Sequence, residues 1–131
     1  MLAIVGLLLG TTALSFRQVE SRRLQEEGER LSLVIAAVSD RAALLNRRHR
    51  LSVDAEGYRV DEWQRGEWRL VGETPVQARA WAHGVRPQQS GQITTDGVGL
   101  LTPARFILVR AGDQLSVQVN ALAEVRLATA P

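Results

Sequence analysis

The stretch Arg17 to Arg50 reads RQVESRRLQEEGERLSLVIAAVSDRAALLNRRHR and contains no proline. Within it Leu24, Leu31, Ile35, Val38, Ala42 and Leu45 recur at intervals of seven, four, three, four and three. That is the spacing of one face of an α-helix, and it predicts a single apolar stripe packed on the rest of the protein. Good helix formers (Ala, Leu, Glu, Gln and Arg) dominate the remaining positions. Glu26 and Arg30 stand four apart in the favourable order, a pairing that supports a helix by about 0.3 kcal/mol. The other charges read as a solvated helix face. Gly28 interrupts the run at a cost of about 1 kcal/mol relative to Ala, which predicts a bend or fraying there.

Upstream, Leu2 to Phe16 reads LAIVGLLLGTTALSF, with no charge before Arg17. At ~1.5 Å per residue this run reaches about 22 Å, short of the ~30 Å hydrocarbon core of a bilayer. A secretory signal peptide is the rival reading, with small residues at cleavage spacing in Ala13-Leu14-Ser15. No basic residue precedes the run, however, so the positive n-region is missing. As a buried core helix it would show a stripe, whereas its apolar residues surround the helix. Membrane contact is the favoured reading. No turn signal separates this run from the amphipathic stretch, so one helix is expected from about residue 2 to about residue 48.

Beyond His49 the pattern becomes one of strands. Asp54-Ala55-Glu56-Gly57 and Arg65-Gly66-Glu67 read as tight turns, separating Leu51–Val53, Tyr58–Gln64 and Trp68–Val71. Residues 73–90 hold two of the four prolines and little alternation, and read as loop with a short strand near Val85. Phe106–Val109 is apolar on both faces, as in an interior strand. After Ala111-Gly112-Asp113, Leu115, Val117 and Val119 alternate with polar residues, the mark of a half-buried strand. A last strand is expected near Val125 to Leu127. The expected architecture is α+β: one long helix, then six or seven short antiparallel strands. Its divisions are an apolar helix part (1–16), an amphipathic helix part (17–49) and a β-rich head (50–131).

Composition narrows the function. With 131 residues, 45% of them hydrophobic and 23% charged, one globular domain is expected. All 16 basic side chains are Arg, so a net charge of only +2 carries the isoelectric point to about 10.3. The high value is therefore poor ground for nucleic-acid binding. Cysteine is absent, which removes disulfides, thiolate metal sites and Cys nucleophiles together. His49 sits in a cationic tail, Arg47-Arg48-His49-Arg50, where it complements the helix dipole. His83 has no acid or hydroxyl near it in sequence. No nucleophile-elbow pattern surrounds any Ser or Thr, and Gly97-Val98-Gly99 precedes a strand and lacks a dinucleotide site's third Gly. Asp54, Glu56 and Asp61 lack the twelve-residue calcium-loop pattern and read as turn and surface residues. No enzyme, cofactor or metal site is expected. Trp68 is expected in the core. Trp81, in a loop between small residues, is the candidate contact with another subunit.

The apolar start LAIVGLLLG, continuous with a long amphipathic helix and a small β-domain, resembles the type IV pilin and pseudopilin superfamily. Two segments resemble its GspH/FimT-type minor subunits. AALLNRRHRLSVDAEGYRVDEW is similar to their helix end, basic cluster and first hairpin, with a Tyr-led strand carrying Trp. TTDGVGLLTPARFILVRAGDQLSVQVNALAEVRL is similar to their C-terminal β-region. The family's processing motif, a basic leader and a Gly before Phe-Thr-Leu-Ile-Glu, has no counterpart after Met1. The resemblance implies that Leu2, Ile4, Val5, Leu7, Leu8, Leu9 and Leu14 sit in the bacterial inner membrane before assembly and in a filament core afterwards. It implies a single-pass protein with its head in the periplasm, although Arg17, Arg22 and Arg23 alone would read as cytoplasmic. The implied role is a minor pseudopilin near the tip of a type II secretion pseudopilus. Its implied partners are other pseudopilins, and no nucleic acid. The alternative is a minor pilin of a type IV or competence pilus with a DNA- or surface-binding head. Met1 is expected to be internal to a longer chain whose leader would meet the prepilin peptidase.

Overall fold

The structure is a computed structural model that describes the backbone of residues 2–129 and the side chains of residues 22–129. A single helix, α1, runs without a break over Leu2–Leu45. It ends about three residues before the expected boundary. Asn46 takes a left-handed φ of 53°, and the Arg47 N–H donates to the Ala42 carbonyl at 3.2 Å. This six-to-one bond is a Schellman-type stop, and Asn tolerates the left-handed conformation that it requires. Arg47 and Arg48 therefore lie beyond the helix, and His49 opens the first strand.

Leu24, Leu31, Ile35, Val38 and Ala42 are buried, with Glu27, Gly28 and Val34 filling the same face. Leu45 departs from the expected stripe and is 38% exposed. The left-handed stop at the next residue turns the chain away before a strand covers it. Gly28 also departs from expectation, since the helix passes through it unbroken. A Cβ here would overlap the Leu115 side chain and lie 3.4 Å from that of Leu127. The glycine permits close helix–sheet approach and is no site of fraying. The ion pair falls one residue from its expected place: the buried Glu27, three residues before Arg30, takes that guanidinium at 2.6 Å, while Glu26 is exposed.

Nine strands follow among the described residues: β1 (His49–Val53), β2 (Gly57–Gln64), β3 (Glu67–Leu70), β4 (Arg79–Ala80), β5 (Arg86–Pro87), β6 (Gly91–Thr94), β7 (Ala104–Arg110), β8 (Asp113–Val119) and β9 (Val125–Thr129). The count exceeds six or seven because β4 and β6 add to it, whereas β5 is the short strand expected near Val85. Two-residue strands carry no period, and β6 buries only Ile93 fully. One sheet has the order β3-β2-β1-β6, with β4 also paired to β2; the other runs β5-β7-β8-β9. All the pairings are antiparallel. The helix packs against strands of both sheets. Leu31, Ile35, Leu51, Ile93, Leu108 and Leu115 are among the largest fully buried side chains of one continuous core.

Candidate subunit-contact surfaces

The outer face of the first sheet carries an aromatic–cationic cluster. Arg65 and Gly66 both have positive φ, at 50° and 81°, the backbone of a two-residue hairpin turn. That turn sets Gln64 opposite Glu67 and Trp63 opposite Trp68. The two indoles meet edge to face, with centroids 5.2 Å apart. The Arg48 guanidinium lies 5.2 Å from the Trp63 ring and 6.0 Å from that of Trp68, and Arg50 lies 4.5 Å over Trp68. Both indoles are half-buried. Trp68, expected in the core, lies outside it, because the register puts it on the face opposite Val60 and Leu51. Arg50 also donates to Asp61 at 3.3 Å, so Asp61 has an ion-pair role. This cluster escaped the sequence reading, although the two-residue turn alone would have placed the tryptophans opposite each other.

A second surface lies at the C-terminal end of the helix. The Gly97-Val98-Gly99 turn docks there: Ser39 Oγ donates to the Gly99 carbonyl at 2.6 Å, and Gly99 (φ 91°) sits where a Cβ would press on Ser39 and Ala43. Asp96 Oδ1 accepts the N–H groups of Val98 and Leu100 and shapes the turn. Leu101 N–H donates to Ala121, which ties the β8–β9 turn to the same end. Leu44, Val98, Leu100 and Leu122 lie exposed along this rim, at 84%, 67%, 46% and 68%. Apolar side chains exposed together at one end make this rim a candidate contact surface.

Between the two surfaces lies a buried polar junction. His49 is fully buried in the first strand and not at the helix end, where the sequence predicts it to act as a cation. Its main-chain N–H donates to Thr95 Oγ1 at 2.9 Å, and its Nδ1 lies 2.9 Å from the Arg47 carbonyl. Burial pushes the imidazole below its ordinary value, against the opposing pulls of the Arg47 carbonyl and Glu62. Burial would raise the Glu62 carboxyl, but bonds from Gln64 and Arg47, with the charge of Arg41, hold it below the usual carboxylate range. Arg41 on the helix also reaches Glu73 at 2.9 Å. The junction thus joins the helix to the first sheet.

Trp81, the expected subunit contact, is half-buried against the core. Its indole N–H donates to the Asp54 carbonyl at 2.7 Å, and its ring meets Tyr58 edge-on at 5.6 Å. Asp54 itself accepts the N–H groups of Glu56 and Gly57, the turn duty expected of it. Trp81 thus anchors the 73–85 segment to the β1–β2 turn. Trp81→Ala is expected to cost about 2 kcal/mol, roughly half the loss at a fully buried Trp. Hydrogen exchange should rise around residues 76–82 and stay unchanged in β7 and β8. Unchanged exchange in that segment would show the anchor to be idle. Among the described residues, no group of three His, Asp or Glu is placed to hold a metal ion.

A helix running into a head of two antiparallel sheets, with its stripe under both, is an architecture shared by a solved protein. The structure of the minor pseudopilin EpsH from the type 2 secretion system of Vibrio cholerae superposes with a TM-score of 0.67. The match covers 82% of this chain and 97% of that one, at 12% identity. The two chains share one fold. It is the pilin-like α+β fold. No protein-family model and no curated protein matches the sequence. Among the described residues no helix is long and apolar enough to cross a membrane. Leu2, Ile4, Val5, Leu7, Leu8, Leu9 and Leu14, assigned above to membrane and filament core, lie outside the residues whose side chains are described.

Proposed function

We propose that this chain is a minor pseudopilin, a structural subunit of a type II secretion pseudopilus placed near its tip and supporting export of folded proteins across the outer membrane. The observation that carries this reading is the fold match, which spans nearly the whole length of a minor pseudopilin. The unbroken helix also supports it. Its apolar first part is suited to leave lipid for a bundle of like helices, since both surroundings are apolar and the transfer changes little. The head would sit in the periplasm, with the helix start in the inner membrane, and its partners would be other pseudopilins. Trp81, through its exposed part, remains a candidate for such a contact beside the Leu44–Val98–Leu122 rim. The competing reading is a minor pilin whose head binds DNA or a surface. It draws on the Arg48, Trp63 and Trp68 cluster, which combines cations with aromatic faces.

Deleting the gene decides between them. The expected result is accumulation of normally secreted folded enzymes in the periplasm, restored by the intact chain. Unimpaired secretion with lost DNA uptake or surface attachment would replace the pseudopilus with the pilus.

A further inference from the structure

We propose that the outer face of the first sheet, built from Arg48, Arg50, Trp63, Trp68 and Leu70, docks an acidic segment of a neighbouring protein subunit. That the partner is a filament subunit rests on the pseudopilin reading; the chemistry it must present follows from the face itself. β1, β2 and β3 hold these groups in register. Arg50 pairs with Asp61, Asp61 with Leu70, and Trp63 with Trp68. Alternation then puts Arg50, Asp61, Trp63, Trp68 and Leu70 on one side of the sheet.

Charge selects the ligand. Asp61 takes Arg50 at 3.3 Å and lies 3.9 Å from Arg59, so one carboxylate answers two guanidiniums. Arg48 is exposed, and the described contacts of its side chain are the two indole rings. A guanidinium lying over aromatic rings keeps its in-plane N–H donors available, already fixed for a two-pronged bond to a carboxylate. Stacking has removed part of the side-chain entropy that binding would otherwise cost. Trp and Arg dominate the tight spots of protein interfaces, and Leu70, 61% exposed, supplies an apolar margin.

The same face is poorly made for a polyanion. Asp61 stands within it, beside Arg50 and opposite Leu70. A nucleic-acid backbone needs many phosphate contacts and would meet this carboxylate. One or two carboxylates beside an apolar side chain fit better.

The test uses the full chain in membranes together with the sibling pseudopilins of its own secretion system. A photoreactive phenylalanine replaces Leu70, leaving the arginines and tryptophans intact. The expected product is a cross-link to a sibling subunit, mapped to a segment containing Asp or Glu. Arg48→Glu should lower its yield about tenfold, and Arg at the mapped carboxylate position should restore it. Arg48→Gln, which removes charge without reversing it, should give an intermediate yield. If the probe captures a sibling from Leu44 or Val98 but not from Leu70, the docking face is overturned and the pseudopilin reading stands. If none of the three positions captures a sibling, the docking face falls, and the secretion phenotype judges the pseudopilin reading separately. Arg48-dependent binding of a single-stranded oligodeoxynucleotide by the full chain would overturn it in favour of nucleic acid.

Discussion

Gly28→Leu is expected to destabilise the protein by about 3 kcal/mol, lowering its melting temperature by roughly ten degrees. Helix propensity predicts the opposite, because Leu is better than Gly in a helix interior by about 0.8 kcal/mol. Packing reverses the sign. The position faces Leu115, which is fully buried, and Leu127 of the next strand. Even a Cβ overlaps the Leu115 side chain, and that side chain has no open space to move into. Four added carbons must therefore push the helix off β8. Glu26→Leu, on an exposed position of the same helix, should change stability by less than about 0.5 kcal/mol. In a Leu115→Ala background the Gly28→Leu penalty should shrink, since the two sites share one volume. Thermal melts of the four variants test this. A Gly28→Leu protein as stable as its parent would mean that helix and sheet do not meet at this residue.

That contact marks the boundary of what the sequence reveals. The stripe Leu24, Leu31, Ile35, Val38 and Ala42 was legible because burial of one helix face imposes a period. Glycine at position 28 carries no sign of whether it bends a helix or admits a neighbour; only the approach of β8 decides. Leu45 fits the period and is nonetheless exposed, because the stop at Asn46 is a matter of one φ angle. Strand β8 announces itself by alternation and β7 by its apolar run, whereas β4 is too short to do either. His49 shows the largest reversal. In sequence it belongs to a run of cations, but in the fold the helix has already ended, and β1 alternation turns it inward beside Leu51 and Val53. The aromatic–cationic face combines both cases. Its hairpin register was legible from Arg65-Gly66, while the approach of Arg48 from the chain beyond the helix was not.

The buried His49–Glu62 junction should make the head acid-sensitive in two separate pH windows. Burial depresses the His49 imidazole in the folded state, so the folded protein holds it neutral at pH values where the unfolded chain, near 6.5, binds a proton. Stability from this group is therefore fully present above pH 6.5 and falls as pH drops below it, by at most about 1.4 kcal/mol per pH unit. Glu62 acts in the same direction but lower down. Its bonds from Gln64 and Arg47 and the charge of Arg41 hold it below 4.5, so its contribution is intact above that value and is lost as pH falls through the folded pKa. Urea unfolding at intervals from pH 7.5 to 4 should show stability declining first between 6.5 and 5. His49→Leu should flatten that first decline whatever it does to stability at pH 7.5, since Leu takes up no proton in the unfolded chain. Glu62→Gln should keep the first decline and remove the part below 4.5. A His49→Leu protein with an unchanged slope between pH 6.5 and 5 would show that the imidazole is not held neutral by burial, and that a different group carries the acid response.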